Sequence, residues 1–168
     1  MINFYNKKCP EILDVILAAG HYVEEIDGVL VTSNDVIVQS IIDGFTLTDL
    51  INTRCLYVDK LATNKRNKVI APYSPGEMAA WPIKRSEAIL FKQTSTPTDA
   101  PYLANEAAIR GITLESLVDK VIADATTFSN IEAAIAGTSG KHRDAIKSLT
   151  TFEQVMSYNY TTGWPLWA

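Results

Sequence analysis

Histidine and cysteine are scarce in this chain: 168 residues hold only His21, His142, Cys9 and Cys55. Side chains of these types, so far apart in sequence, do not form the spaced ligand set of a zinc or iron–sulfur site. Two isolated cysteines make no disulfide framework, and they read as free thiols in a reducing compartment. The glycines form no G-x-G-x-x-G and no P-loop, and the histidines form no H-E-x-x-H, so the common phosphate cradles and the metalloprotease helix are missing. No apolar run approaches the roughly 20 residues of a membrane-spanning helix. The stretch M-I-N-F-Y-N-K-K has no apolar core of a secretion signal, so synthesis and first action in a cytoplasm are expected. Positive charge is not in excess: 15 Lys and Arg stand against 19 Asp and Glu, a net charge of −4. That argues against a nucleic-acid binder with a broad basic face.

What the chain does have is the balance of a folded protein, with 47% apolar and 20% charged residues. Its length suits one domain or two small ones and buries a core without staples. Ile2–Tyr5 reads as a short strand. Pro10 suits the first position of a helix carrying Ile12, Leu13, Ile16 and Leu17, which stops at Gly20. Asp27-Gly28 between apolar flanks signals a hairpin with a type I′ turn. Ser33 or Asn34 caps a short helix ending at Gly44, and Thr48 caps the next, through Leu50, Leu56 and Leu61. Ser74-Pro75-Gly76-Glu77 matches a capping box. The helix it starts carries Trp81-Pro82, where proline predicts a kink or a split.

Thr94–Pro101 (T-S-T-P-T-D-A-P) is the most linker-like stretch. Beyond it a short helix stops at Gly111, and Thr113 caps a longer one with an apolar stripe from Leu114 to Ile135. Gly137–Gly140 predicts a break and a return helix through Ala145, Ile146 and Leu149. Thr150 and Glu153 offer a second capping box. The expected fold class is therefore α+β. Residues 1–93 make a small N-terminal mixed lobe with a short antiparallel sheet and connecting helices. Residues 94–101 are the linker, and residues 102–168 make a C-terminal all-helical hairpin lobe with an aromatic tail.

Chemistry is hard to place on this frame. His21 sits at a helix-to-strand junction and His142 among Lys141 and Arg143 on an expected exposed turn. Cys9 ahead of a helix N-terminus has either a lowered pKa or a bland, half-buried role. Glu24 and Glu25 are adjacent on a strand and point to opposite faces, so they do not converge on one bond. Arg54, Lys60, Lys65, Arg66 and Lys68 form the one basic cluster, read as a solvated helix end or a phosphate patch. No catalytic residue, metal ligand or cofactor follows. The candidate partner-contacting residues are the large aromatics Trp81, Tyr158, Tyr160, Trp164 and Trp167. The alternative for Trp81 is a core place at a kink, and for the tail a fold back over the core.

The pattern E-x-x-x-W-P-x-K-x-x-E-A from Glu77, then R-G-I-T-L-E-S-L-V-D-K-V from Arg110, A-A-I-A-G, and T-T-F-E-Q-V ending at Val155 resembles the C-terminal helical region of small tail-associated proteins of tailed bacteriophages, the tail fibre assembly and accessory tail proteins among them. The resemblance covers roughly Glu77 to Val155. It implies a tail-morphogenesis role: binding to a tail fibre or baseplate protein, as an assembly chaperone or a small virion subunit. A homo-oligomer is a separate option. The expected places are the host cytoplasm during assembly and, for a retained subunit, the virion tail. The rival expectations are a phage-encoded cell-wall hydrolase or other small enzyme and a nucleic-acid-binding regulatory module.

Overall fold

A computed structural model describes residues 2–166 of the chain. The fold is mostly helical, with a two-stranded antiparallel sheet near the N-terminus. In order, the elements are α1 (Pro10–Ala18), β1 (Val23–Ile26), β2 (Val29–Thr32), α2 (Asp35–Gly44), α3 (Leu47–Ile70), α4 (Pro75–Thr94), a 3-10 turn (Pro97–Asp99), α5 (Pro101–Arg110), α6 (Leu114–Lys147) and α7 (Phe152–Ser157). Two compact units emerge. Among the described residues, the first takes in residues 2–62 together with Thr138–Gly163, and the second takes in Thr63–Gly137 and residues 164–166.

In the first unit, Asp27 and Gly28 both adopt positive φ (50° and 76°), the turn that closes β1 on β2. Val23 pairs with Thr32 and Ile26 with Val29. Asn34 caps α2 by accepting from the amides of Val36 and Ile37. Ile12 and Ile16 on α1, Val38 and Ile42 on α2, and Leu50 and Val58 on α3 are all buried. Lys7 closes the end of α2, donating to the carbonyls of Ile42, Asp43 and Phe45, where a cation meets the negative end of the helix dipole.

Ile2–Tyr5 is not a strand. Gln39 donates to the Asn3 carbonyl and accepts from its amide, and Tyr5 turns into positive φ (52°) over the Asn3 side chain. A remote side chain thus takes the backbone groups a ladder would have used. The cap of α3 is Thr46 rather than Thr48: its hydroxyl accepts from the Asp49 amide while the Asp49 carboxylate accepts from the Thr46 amide. Those bonds to Thr46 hold the Asp49 carboxyl below its ordinary pKa.

The second unit has a core of Ala88, Phe91, Ala100, Leu103, Ala107, Leu117 and Val118, edged by Leu114, Val121 and Ile122. Ser74 caps α4, and α4 continues through Pro82 without splitting. Thr94–Pro101, expected as a boundary, lies within this unit. Ser95 ends α4 in the left-handed region (φ 55°), a 3-10 turn follows, and Ala100 is fully buried in the core. Gly111 ends α5 at positive φ, and Thr113 accepts from the Ser116 amide as α6 begins.

Gly137–Gly140 does not break the chain, and no return helix follows. α6 is continuous for 34 residues. On one of its faces Ile135, Ser139, His142 and Ile146 are all buried, at steps of three and four that run through the glycines. Burial along that stripe outweighs the glycine penalty of about 1 kcal/mol per residue. The last helix begins one residue later than expected. Thr151, not Thr150, accepts from the Gln154 amide, and the Gln154 side chain accepts from the Thr150 amide.

Candidate interaction surfaces

One set of titratable groups in the first unit gathers between α1, α3 and the tail. Glu11 and Asp14 stand one turn apart on α1; Arg54 and Tyr57 stand one turn apart on α3. Arg54 Nε lies 2.8 Å from Glu11 Oε1, and the Tyr57 hydroxyl donates to Asp14 Oδ2 at 3.2 Å. The Glu11 side chain is 2% exposed. Its contact with Arg54 is an ion pair of poor hydrogen-bond alignment, and Glu11 Oε2 has no hydrogen-bond partner. Tyr160 covers the pair, with its ring 5.7 Å from the Arg54 guanidinium and 6.5 Å from the Tyr57 ring. Burial, with the Asp14 carboxylate second, pushes the Tyr57 hydroxyl up.

His142 is not on an exposed turn. It is buried on α6 and holds the tail at two points. Nδ1 lies 2.9 Å from the Tyr158 hydroxyl and Nε2 lies 2.9 Å from the Thr162 carbonyl. A carbonyl only accepts, so Nε2 donates to Thr162, and Nδ1 shares the other hydrogen bond with the tyrosine hydroxyl. Both ring nitrogens are thereby engaged in fixing the tail.

The thiols are equally enclosed. Cys9 and Cys55 are buried and free. Burial pushes the Cys9 thiol up, with Glu11 adding to it, although Cys9 precedes a helix; desolvation outweighs the helix N-terminus here, opposite to the lowered-pKa option. Burial also pushes the Cys55 thiol up, opposed by Lys147 and Arg143. His21 bonds Ser33. Glu24 and Glu25 fall on opposite faces of the hairpin, and Glu25 pairs with Lys8. No group of three or more His, Cys, Asp and Glu side chains is gathered for a metal ion among the described residues.

The expected aromatic contacts separate. Trp81 stacks edge-on with Tyr73 (5.0 Å between ring centres) and Phe128 (5.3 Å) inside the second unit. Trp164 is buried. Tyr158 and Tyr160 are half-buried on His142 and Arg54. Trp167 lies outside the described residues. The basic cluster separates too. Arg54 is held by Glu11, Arg66 forks onto both oxygens of Glu132, and Lys60 lies over the Tyr57 ring.

What the sequence analysis missed is a groove between α4 and α5 in the second unit, about 490 Å³ in volume. Lys84 lies 2.7 Å from Glu106 on its floor, and Arg110 lies 3.0 Å from the same carboxylate. The two cations hold the Glu106 carboxyl below its ordinary pKa. Tyr102 lies over Lys84 at one side, and Ile109 stands 78% exposed at another. The spacing of Tyr102, Glu106 and Ile109 on one face of a short helix was the available signal.

The two helices of the groove are tied together. Ala100 cannot cap α5, and Glu87 of α4 does so instead: its carboxylate accepts from the amides of Tyr102 and Leu103. Ala88 next to it is fully buried. Glu87-Ala88 thus caps and packs α5 against α4, whereas Trp81 packs on Tyr73 and Phe128. Comparison of the chain with family models, with curated proteins and with solved structures finds no match.

Proposed function

We propose that this chain is a noncovalent assembly protein of a tailed bacteriophage, one that docks on a tail fibre or baseplate protein as a chaperone or a retained small subunit. The phage setting rests on the resemblance over Glu77–Val155. The mode of action rests on a contrast within the structure. Several groups suited to covalent chemistry are tied down: Glu11 by Arg54, His142 by the tail, the cysteines by burial. Large apolar side chains stand in solvent instead, among them Ile109, Tyr102 and Ile83 on α4 and α5. Exposed apolar groups around a polar floor are the make-up of a protein-binding patch. The observation that carries this proposal is the α4–α5 groove with Ile109 at its edge.

Partner contact accordingly falls on Tyr102 and Ile109, while Trp81 and Trp164 support the fold. The test is co-expression with the fibre and baseplate proteins of the same phage, followed by affinity capture. Wild-type chain is expected to retain one of them, and Ile109→Asp with Tyr102→Ala is expected to lose it without loss of helical content. Mass spectrometry of purified virions separates a retained subunit from a chaperone. Retention of no tail protein, or lysis of cell walls by the purified chain, overturns the proposal.

A further inference from the structure

The hairpin of the first unit has two free edges with opposite character. Ser33 donates its amide to the Tyr22 carbonyl, which fixes the alternation of the antiparallel ladder. Working inward from that bonded pair, Val31 and Val29 turn their backbone groups toward β1, and Leu30 and Thr32 turn theirs outward. The same alternation turns Val23 and Glu25 outward on β1. Among the described residues the sheet has no third strand.

Self-pairing tells the edges apart. Antiparallel pairing of β1 (V-E-E-I) with its own copy sets carboxylates against carboxylates, which is destabilising. β2 (V-L-V-T) has no charge and is rich in β-branched residues. A two-fold axis perpendicular to the sheet must place like faces together, and an axis at Val31 does so. Leu30 then lies opposite Thr32 of the other copy, and the outward amides and carbonyls of Leu30 and Thr32 all find partners. Ile26, Val29 and Val31, at 50%, 62% and 38% exposure, share the other face of the hairpin with Glu24. In the paired form the Val31 residues of the two copies meet at the centre of that face, with Val29 on either side of the pair and Glu24 outside it.

We propose that the β2 edge is a self-association site: two copies of the chain pair β2 with β2 about a two-fold axis at Val31, forming a four-stranded antiparallel sheet. An edge of charge-free, β-branched residues is what strand addition uses. An isolated two-stranded hairpin is marginal on its own, so added strands strengthen it. The pairing involves neither the α4–α5 groove nor a tail partner, so it stands or falls independently of the docking function.

The test is sedimentation of the full chain at rising concentration, with hydrogen exchange read at single amides. The average mass is expected to climb toward that of a dimer. The Leu30 and Thr32 amides are expected to slow with concentration, and those of Val23 and Glu25 to stay as they are. Val31→Lys, which sets lysine against lysine at the axis, is expected to stay monomeric with unchanged circular dichroism. If that variant unfolds, the wild-type exchange data decide. A monomer up to the solubility limit, as expected if the edge instead takes a strand of a different protein, overturns the proposal. So does protection at Val23 and Glu25 in place of Leu30 and Thr32, or a Val31→Lys chain that associates like wild type.

Discussion

Glu11 and Arg54 form an ion pair at 2.8 Å in which the carboxylate side chain is almost wholly removed from water, and the ring of Tyr160 lies over the guanidinium. Two charges taken from water gain most from each other only while both are present. Glu11→Ala or Arg54→Ala is therefore expected to lower stability by about 3–5 kcal/mol. Urea unfolding measures this. The double change Glu11→Leu with Arg54→Met, which leaves no charge behind, is expected to cost much less than either alanine variant.

Gly137 and Gly140 sit inside the C-terminal third of α6, and a Cβ added at either meets nothing within 4 Å. Neither has a positive φ. Alanine at each is expected to raise stability by about 0.5–1 kcal/mol, by removing backbone freedom that folding must suppress. A rise in the urea midpoint at unchanged slope is the expected result. A drop would show that the helix bends or opens at those positions.

Cys9 and Cys55 are both buried, and burial pushes both thiols up. The attacking species in thiol chemistry is the thiolate. A thiol reagent at neutral pH is expected to label neither cysteine in the native chain faster than the chain opens, and to label both in urea. Rapid native labelling of Cys9 would show that its helix N-terminus governs it after all.

Glu132 is held below its ordinary pKa, first by its hydrogen bonds from Arg66, and Glu106 likewise by Lys84 and Arg110. A carboxyl depressed in the folded state binds fewer protons there than in the unfolded chain. Its contribution is present above the ordinary Glu value of about 4.3 and is lost as pH falls through the folded pKa. Glu132→Gln and Glu106→Gln are expected to flatten the acid limb of stability against pH. Both carboxylates are partly exposed, so added salt is expected to shrink the effect.

Features decided within a few residues were legible in the sequence. Asp27-Gly28, Asn34, Ser74 and Gly111 act where their turn and cap chemistry places them. Features decided across the chain were not. Gln39 occupies the backbone of Asn3 from 36 residues away and removes the expected strand. Glu87 caps α5 from 15 residues back. Gly137–Gly140 carries a local stop signal that Ile135, Ser139, His142 and Ile146 override by being buried on one face. The same burial moves His142 from an expected surface turn to the clasp of the tail. The groove of Tyr102, Glu106 and Ile109 was hidden for a related reason: α5 is short, and its tie to Glu87 and the burial of Leu103 and Ala107 set the face that it presents.

Pro10, Pro75, Pro97 and Pro101 each open a helix or the 3-10 turn. Their rings fix φ before any tertiary contact forms. The denatured ensemble is thus already narrowed at the very points where coil must become helix, and fewer conformers are forfeited on folding. Part of what makes this chain stable is therefore invisible in its native contacts and resides in the disorder it never had.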